Sequence, residues 1–285
     1  MDPALPGRRI FRQSVIQEFT GVFDGAGHVI SNLTIDGGQN LGLFGFLTAE
    51  AQVGNIELVH VNVAGSAIYI GGLAGENEGN VVACYSSGSV SGTYEVGGLV
   101  GLNAGTGSIA ASSSSGTVSG TDSSVGGLTG WNYGTIDSSY SSSAVSGTGQ
   151  VGGLVGSNSG SVENSYSSGS VSGTNSVGGL AGVNYDGLIT YSYSTASVSG
   201  TNYVGGFAGN SYQDNISLSF WDVQTSGQTT SAGGIGKTTA EMQTASTFLE
   251  SGWDFVGETA NSIDDIWWIL EGQDYPRLWW ETAEQ

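Results

Sequence analysis

Basic residues are nearly absent from this chain of 285 residues, which has 5 Lys and Arg against 25 Asp and Glu and a formal net charge of −20. No Lys or Arg lies between Arg12 and Lys237. Nucleic-acid binding needs Lys and Arg to neutralise phosphates, so this composition argues against such a partner. Long apolar runs are lacking too. None approaches the ~18 residues of a membrane-spanning helix, so no membrane span is predicted.

Cysteine, histidine and proline are also scarce. Cys84 is the only cysteine, which excludes an intramolecular disulfide. His28 and His60 are the only histidines and no H-E-x-x-H motif is present, which excludes a zinc-protease site of that type. The 3 prolines beside 50 glycines do not fit collagen or a Pro/Gly linker. The glycines therefore need another explanation.

That explanation is an internal repeat. The tetrad Val-Gly-Gly-Leu, or a close variant of it, recurs at spacings of 26 to 29 residues. Each unit continues as V-G-G-L-x-G-x-N-x-G-x-V/I, then a serine-rich stretch, then V-S-G-T. We expect the paired glycines to supply a positive φ at a sharp corner. The tetrads begin at Ile70, Val96, Val125, Val151, Val177 and Val204.

Each unit is too short to be an independent domain and too rich in glycine for helices. Segments such as 162–166 alternate apolar and polar residues, which indicates short strands, and turn residues such as 172–175 separate them. Repeated strand-and-turn units predict an all-β fold, a parallel β-solenoid (β-helix) with coils of about 26 residues. The general bias of parallel crossovers predicts that it is right-handed.

Stacked coils place equivalent residues ~4.8 Å apart, so recurring side chains are expected to form ladders. An asparagine ladder would exchange amide hydrogen bonds along the axis. By alternation, a tyrosine ladder shares a face with the apolar row that contains Ile136 and Val162, so we place it inside the coils. Both ladders are interpreted as structural. The asparagines are Asn77, Asn103, Asn132, Asn158 and Asn184, and the tyrosines are Tyr85, Tyr140, Tyr166 and Tyr193, with Ser113 between the first two.

The composition changes at both ends of the repeats. Residues 19–45 are interpreted as diverged coils, so we assign residues 1–18 to an N-terminal arm or cap and residues 19–210 to the solenoid. Residues 211–285 contain six of the 7 Trp and are predicted to form an aromatic C-terminal cap. Within this cap, Thr238–Glu241 is a capping-box pattern that predicts one short helix to about Glu250.

The repeated VGGLVGxNxG blocks resemble the GLUG motif of bacterial extracellular proteins. The leading FTGVFDGAGHVISNLTI and the closing GWDF and IWWILEGQDYPRLWW resemble the segments that bracket such repeats, so the resemblance covers roughly residues 19–280. GLUG repeats occur in large surface and adhesin-like proteins and beside the protease domain of some immunoglobulin-A peptidases. The resemblance implies a secreted, mostly non-catalytic solenoid, and it carries no catalytic residue over. The opening residues 1–11 lack the apolar core of a signal peptide, which leaves a removed signal and an intracellular protein as alternatives.

One pair of carboxylates is a candidate catalytic or metal site. Asp137 and Glu163 follow equivalent apolar residues, so we expect them to stack outward on adjacent coils about 5 Å apart. That spacing suits a retaining glycosidase or a divalent cation, so a polysaccharide hydrolase is the alternative function and Ca²⁺ is the one ion considered. A β-eliminating lyase is disfavoured because the coils have no Lys or Arg to act as base. Glu76 and Glu78 are weaker candidates, and no other cofactor is predicted.

Aromatic and basic side chains suggest two kinds of partner. Trp131, Tyr133 and Tyr185 flank the asparagine ladder, and aromatic rings beside Ser and Asn suit weak, multivalent contact with glycans. A basic arm on an otherwise acidic body suits docking on another copy, and head-to-tail contacts would build an open fibre. The leading interpretation is a non-enzymatic extracellular or cell-surface solenoid for adhesion, surface coating or self-assembly. The arm consists of Arg8, Arg9 and Arg12.

Overall fold

The repeats wind into a parallel β-solenoid of about 8 turns, described over residues 9–257 and 265–281 of a computed structural model. This confirms the predicted all-β solenoid and the helix-containing C-terminal region. The helices of the described residues are short and all follow the strand Phe220–Asp222. They are α1 (Val223–Ser226), α2 (Thr239–Met242) and α3 (Ala245–Leu249).

Three sets of parallel strands run along the solenoid. The asparagine sheet consists of Ile16–Phe19, Phe44–Leu47, Ala74–Asn77, Val100–Asn103, Thr129–Asn132, Val155–Asn158, Ala181–Asn184 and Ala208–Ser211. The valine sheet consists of Ile68–Ile70, Tyr94–Gly97, Val125–Gly126, Val151–Gly152, Asn175–Gly178 and Asn202–Gly205. The long sheet consists of Val22–Ser31, Thr34–Gly37, Gln52–Gly65, Asn80–Gly92, Ser108–Ala110, Ser113–Gly120, Thr135–Asp137, Tyr140–Ser141, Ala144–Gly147, Ser161–Glu163, Tyr166–Ser167, Ser170–Gly173, Leu188–Thr190, Tyr193–Ser194, Ser197–Ser199, Ile216–Ser217, Phe220–Asp222 and Ile235–Lys237. An antiparallel pair, Trp267–Trp268 and Arg277–Leu278, follows the helices.

The coils stack in register. Val125 pairs with Val96 on one side and Val151 on the other, and the asparagine positions pair in the same way. The parallel strands run from Ile16–Phe19 to Ile235–Lys237, so they extend beyond both ends of the predicted coil region 19–210. The assignment of 1–18, 19–210 and 211–285 to separate domains stays a prediction.

The tetrads fill one continuous core along the axis. Val125 and Leu128 are 0% exposed, and the equivalent residues of the other coils belong to the same cluster. Burying one such side chain contributes about 1.5–3 kcal/mol. Because each coil adds the same residues against its neighbours, the stability accumulates coil by coil.

The paired glycines are needed for close approach and not for a positive φ, so the expectation about their backbone was wrong. Left-handed φ values occur instead at the residue before the tetrad, for example 45° at Glu95 and 61° at Ser124. A Cβ on Gly127 would lie 2.1 Å from the carbonyl oxygen of Gly153 in the next coil. The tetrad glycines therefore let neighbouring backbones touch.

The C-terminal end of the core is closed by one large side chain. Trp221 stands in register with Ser194 of the preceding coil, is 3% exposed and belongs to the solenoid core. A Cβ on Gly206 would lie 2.0 Å from the Trp221 ring, so the indole packs directly on the last glycine pair. The indole occupies the space that the glycine pair of a further tetrad would fill.

The single helix predicted to about Glu250 is in fact two helices. The capping box is present, since the side chains of Thr238 and Glu241 each bond the other's backbone N–H. However, α2 ends at Met242, and Thr244 returns to an extended backbone (φ −121°, ψ 118°) before α3. Met242 and Phe248 are both fully buried, but six residues would place them about 120° apart around a continuous helix. The break lets both side chains reach the same core.

Candidate functional site

The predicted asparagine ladder is present and fully buried. The Nδ2 atom of each residue donates to the Oδ1 atom of the next, at 2.8, 2.8, 2.8 and 2.9 Å along the series. The same amide nitrogens also reach backbone carbonyls, such as the Gly79 oxygen at 3.2 Å from Asn77. These buried amides hold neighbouring coils together. The ladder consists of Asn77, Asn103, Asn132, Asn158 and Asn184, each 0% exposed.

A second polar ladder, of serines, was not anticipated from the sequence. Ser139 is typical: its hydroxyl accepts the N–H of Ser112 at 3.1 Å and donates to the Asp137 carbonyl at 2.8 Å. Cys84 takes the equivalent place in an earlier coil, where burial raises the pKa of its thiol to about 11. The sequence pattern that marks this ladder is a serine three residues after the Val or Ile that follows the asparagine in each coil. Because many other serines surround it, the pattern does not stand out. The members are Ser112, Ser139, Ser165, Ser192 and Ser219.

The tyrosine ladder stacks as expected but lies outside the coil core, which corrects the predicted inside placement. Ring centroids of Tyr166 are 4.8 Å from those of both Tyr140 and Tyr193, with interplanar angles of 9° and 4°. The face changes because the residue two positions earlier is left-handed, with φ of 47° at Ser138 and 48° at Asn164. A left-handed residue interrupts the alternation on which the prediction rested.

The C-terminal segment, residues 265–281, covers this ladder and contributes to a second hydrophobic core with it. Trp280 stacks on Tyr140 with centroids 5.5 Å apart, and its Nε1 donates to the Ser138 carbonyl at 2.9 Å. The Tyr166 hydroxyl donates to Glu281 at 2.7 Å, and burial raises the Tyr166 pKa well above its usual value. Tyr85, further along the solenoid, pairs its hydroxyl with that of Ser115 at 2.6 Å.

The predicted glycan-contact residues form an aromatic stripe on the outer face of the asparagine sheet. The Trp131 indole lies 5.1 Å from Tyr133 and 5.9 Å from Tyr185, nearly parallel to both rings. Tyr212 extends the stripe, 5.4 Å from Tyr185. Tyr133 and Tyr185 are two coils apart, and the equivalent position on the coil between them is Ser159, which has no ring. The Trp131 indole fills this gap in the stack.

This stacking limits how the stripe can hold a sugar. Stacking on a pyranose needs an open ring face, and the tyrosines occupy the faces of Trp131. The indole nitrogen of Trp131 has no exposed surface and no hydrogen-bond partner among the described residues. Tyr133 and Tyr212, at the two ends, are 45% and 63% exposed. Glycan contact by the stripe stays a prediction, and its geometry favours the two end rings.

Half-buried carboxylates lie near the stripe. Burial, with the nearby charge of Glu78 as a smaller cause, raises the pKa of Glu76. Burial and then Asp122 raise the pKa of Glu95 in the same way. This end of the solenoid face is therefore acidic, and Glu76 and Glu95 bind their protons more tightly than a free glutamate does.

Asp137 and Glu163 stand on adjacent coils in register, as the repeat spacing predicted. Each carboxylate meets a donor from the following coil. Asn164 donates its Nδ2 to Asp137 at 3.0 Å, and the Thr190 hydroxyl donates to Glu163 at 3.4 Å. No group of three or more His, Cys, Asp or Glu suited to a metal ion occurs among the described residues. The catalytic and calcium roles of this pair stay predictions.

The basic arm is only partly described, since Arg8 lies outside the described residues. Arg12 hydrogen-bonds and ion-pairs with Asp36 of its own chain, with side chains 75% and 58% exposed. Arg9 lies 4.8 Å from the centre of the Phe11 ring. The arm therefore has intramolecular contacts, and its role in self-association stays a prediction. Within residues 9–257 and 265–281, no helix is long and apolar enough to cross a membrane.

Comparison with known proteins finds a family motif in part of the chain. A family model described as the GLUG motif matches residues 92–119, 147–172 and 173–199. An 87-residue segment, 30% of this chain, is 40% identical to halomucin from Haloquadratum walsbyi. That segment is 1% of halomucin, so the chain spans only a very small part of this relative.

One solved structure supports the fold. The chain is similar to a "putative immunoglobulin A1 protease" from Bacteroides ovatus, with a TM-score of 0.50 and 21% identity. The similarity covers 91% of this chain and 77% of that one. At this identity the likeness concerns the fold alone.

Proposed function

We propose that this chain, a GLUG-repeat protein, is a non-catalytic, rigid β-solenoid segment of an extracellular or cell-surface protein, serving adhesion or surface coating. One observation carries the proposal: the conspicuous recurring side chains hydrogen-bond from coil to coil. The asparagine and serine ladders are buried and mutually satisfied, and the tyrosine ladder is covered by the C-terminal segment. Ladders that tie each coil to the next favour a stiff, extended body, which suits a structural role.

The comparisons and the charge support an exterior location. The similarity to halomucin supports an extracellular or cell-surface setting. A net charge of −20 suits an exterior with abundant counterions, which screen repulsion between carboxylates. Self-association through the basic arm of Arg8, Arg9 and Arg12 is a further proposal. Deleting residues 1–12 should abolish any assembly, and an unchanged mass after the deletion would contradict the arm's role.

A polysaccharide hydrolase is the second candidate, and the register of Asp137 with Glu163 is the observation that favours it. A retaining glycosidase needs two carboxyl groups ~5–5.5 Å apart, one of them to protonate the leaving group. The hydrogen bonds from Asn164 and Thr190 also give both carboxylates a structural role, since each bond joins one coil to the next.

One experiment separates the two functions. Neutral and acidic polysaccharides would be mixed with the protein, with calcium or with a chelator. Size-exclusion chromatography with light scattering would then measure the molar mass of each polysaccharide over time. Polymers of unchanged mass support the non-catalytic function. A falling polymer mass that the double variant Asp137→Asn, Glu163→Gln abolishes would establish the hydrolase. A falling mass that the variant retains would contradict both assignments.

A further inference from the structure

A cleft of about 250 Å³ lies between the tyrosine ladder and the C-terminal segment. The solenoid wall presents the edges of the stacked tyrosines and the hydroxyls of Ser142, Ser168 and Thr195. The opposite wall presents Asp274, Arg277 and Glu281. The cleft lies just below the ~300–1,000 Å³ range of drug-sized ligand sites, so it suits a single ring rather than a long chain.

The three hydroxyls form a regular row. The N–H groups of Ser142, Ser168 and Thr195 bond carbonyls of the preceding coil at 3.0, 3.0 and 2.9 Å, which fixes the residues one coil apart. Successive hydroxyls are therefore ~4.8 Å apart along the axis. Ser142 and Ser168 are exposed and Thr195 is half-buried, so the row faces the cleft and not the core.

The charged wall is pre-ordered and nearly balanced. Arg277 donates from Nη2 and Nε to one oxygen of Asp274, at 2.6 and 2.9 Å. Glu281 accepts from the Tyr166 hydroxyl and from the Leu278 N–H at 2.7 and 2.8 Å, and burial raises its pKa. One cation thus faces two carboxyl groups, which disfavours an anionic ligand. Fixed donors and acceptors of both kinds suit the hydroxyl groups of a neutral sugar.

We propose that this cleft binds one residue of a neutral glycan. The inference rests on the proposed extracellular, non-catalytic function and names its ligand class. Recognition is by hydrogen bonds and not by ring stacking, because the tyrosine faces cover one another at 4.8 Å. The hydroxyl row orients the bound residue along the solenoid axis, and the fixed donors and acceptors of the two walls provide the affinity.

The test is titration of the full chain with cellopentaose, mannopentaose and chitopentaose, and with oligogalacturonate as the acidic comparison, by isothermal calorimetry and tryptophan fluorescence. The cleft variant is Ser142→Ala, Ser168→Ala, Thr195→Val. Its matched control, Ser146→Ala, Ser172→Ala, Ser199→Ala, removes exposed hydroxyls from the same coils on another face. Arg277→Gln tests the opposite wall independently.

We expect saturable binding of at least one neutral probe, weakened about tenfold or more by the cleft variant and by Arg277→Gln but unchanged in the control. Binding that both variants retain would overturn the cleft and leave the proposed function standing. Absence of any neutral binding, or preference for oligogalacturonate, would overturn the ligand assignment. Cleavage of a probe would instead contradict the proposed non-catalytic function, and the variant comparison would still decide the cleft.

Discussion

The second glycine of each tetrad lies where two coils touch, and this contact restricts the residue more than the local turn does. At Gly127 a Cβ would lie 2.1 Å from the Gly153 oxygen and 2.2 Å from the Ser141 hydroxyl. Gly98 and Gly179 meet the equivalent carbonyls at 2.2 and 2.1 Å. The requirement for glycine is therefore a property of stacking, repeated in every coil.

Gly127→Ala should lower the free energy of unfolding by about 1–3 kcal/mol, because the Gly153 carbonyl and the Ser141 side chain both have to move. Chemical denaturation monitored by circular dichroism would measure this. Gly105→Ala is the matched control, since a Cβ there meets nothing within 4 Å. Equal losses in both variants would show that the coils do not touch at Gly127 as described.

Asn132→Ala should remove two rungs of the buried ladder, because its Oδ1 accepts from Asn103 and its Nδ2 donates to Asn158. Leaving these buried partners unsatisfied costs about 1–3 kcal/mol. Asn202→Ala is the comparison, since the Asn202 amide makes the same cross-coil bond, to Asn175 at 2.8 Å, on the exposed surface. There the loss should be within ~0.5 kcal/mol, measured in the same denaturation experiment. Similar losses at both positions would contradict the role of burial.

Sequence periodicity was enough for the fold, the asparagine ladder and the register of Asp137 with Glu163, because each follows from residues recurring at the coil length. It was insufficient for the tyrosine ladder. The residues that reverse its direction, such as Ser138 and Asn164, have left-handed φ values without being glycine, so the sequence carries little sign of them. The Trp131 indole lies between Tyr133 and Tyr185, at the position of Ser159. This contact depends on residues of three coils, so the pattern within one repeat does not predict it.

At the scale of elements, the C-terminal segment is the part of the cap that faces the candidate cleft. It runs back along the solenoid, so that Tyr275 contacts Tyr193, Glu281 contacts Tyr166 and Trp280 contacts Tyr140. Asp222 secures its other end, since it accepts the Tyr275 hydroxyl at 2.7 Å while it caps α1. Burial and then this bond raise the pKa of Tyr275 to about 12.

Trp280→Ala should loosen this segment without unfolding the coils, because the indole contributes both a stack on Tyr140 and a hydrogen bond to the Ser138 carbonyl. Amide hydrogen exchange read by mass spectrometry should show faster exchange in residues 265–281 and unchanged protection in the asparagine sheet. Trp279→Ala is the control, since the side chain of Trp279, the residue before Trp280, is 58% exposed. Faster exchange throughout the coils would mean that the segment and the solenoid unfold as one unit.

For the whole molecule, 25 acidic against 5 basic residues make self-repulsion a general cost of the folded state. Added salt should therefore raise the thermal midpoint, because the Debye length falls from ~10 Å at 0.1 M to ~3 Å at 1 M. Calorimetry in sodium chloride would measure the shift. Screening of this kind saturates well before 1 M, so a midpoint that stays constant or falls over the first few tenths molar would contradict it.

The pH dependence follows from three half-buried glutamates, Glu76, Glu95 and Glu281, whose pKa values are raised chiefly by burial. Their ordinary value is 4.5, so above it the folded state holds protons that the unfolded state has released. Stability from these groups is fully present below 4.5 and is lost as pH rises through the raised native values. The pKa of Glu241 is lowered by its capping-box bonds, so its contribution to stability is lost as pH falls. This loss begins only below about pH 4.5, the ordinary pKa of glutamate.

The thermal midpoint should therefore be higher at pH 5 than at pH 7. The triple variant Glu76→Gln, Glu95→Gln, Glu281→Gln should reduce this difference, because it removes the groups whose folded and unfolded proton binding differ. The control Glu18→Gln, Glu57→Gln, Glu250→Gln makes the same change in net charge at exposed positions. If the control flattened the profile as much as the triple variant, net charge and not burial would be the cause, and the half-buried glutamates would have no special part in the stability of the solenoid.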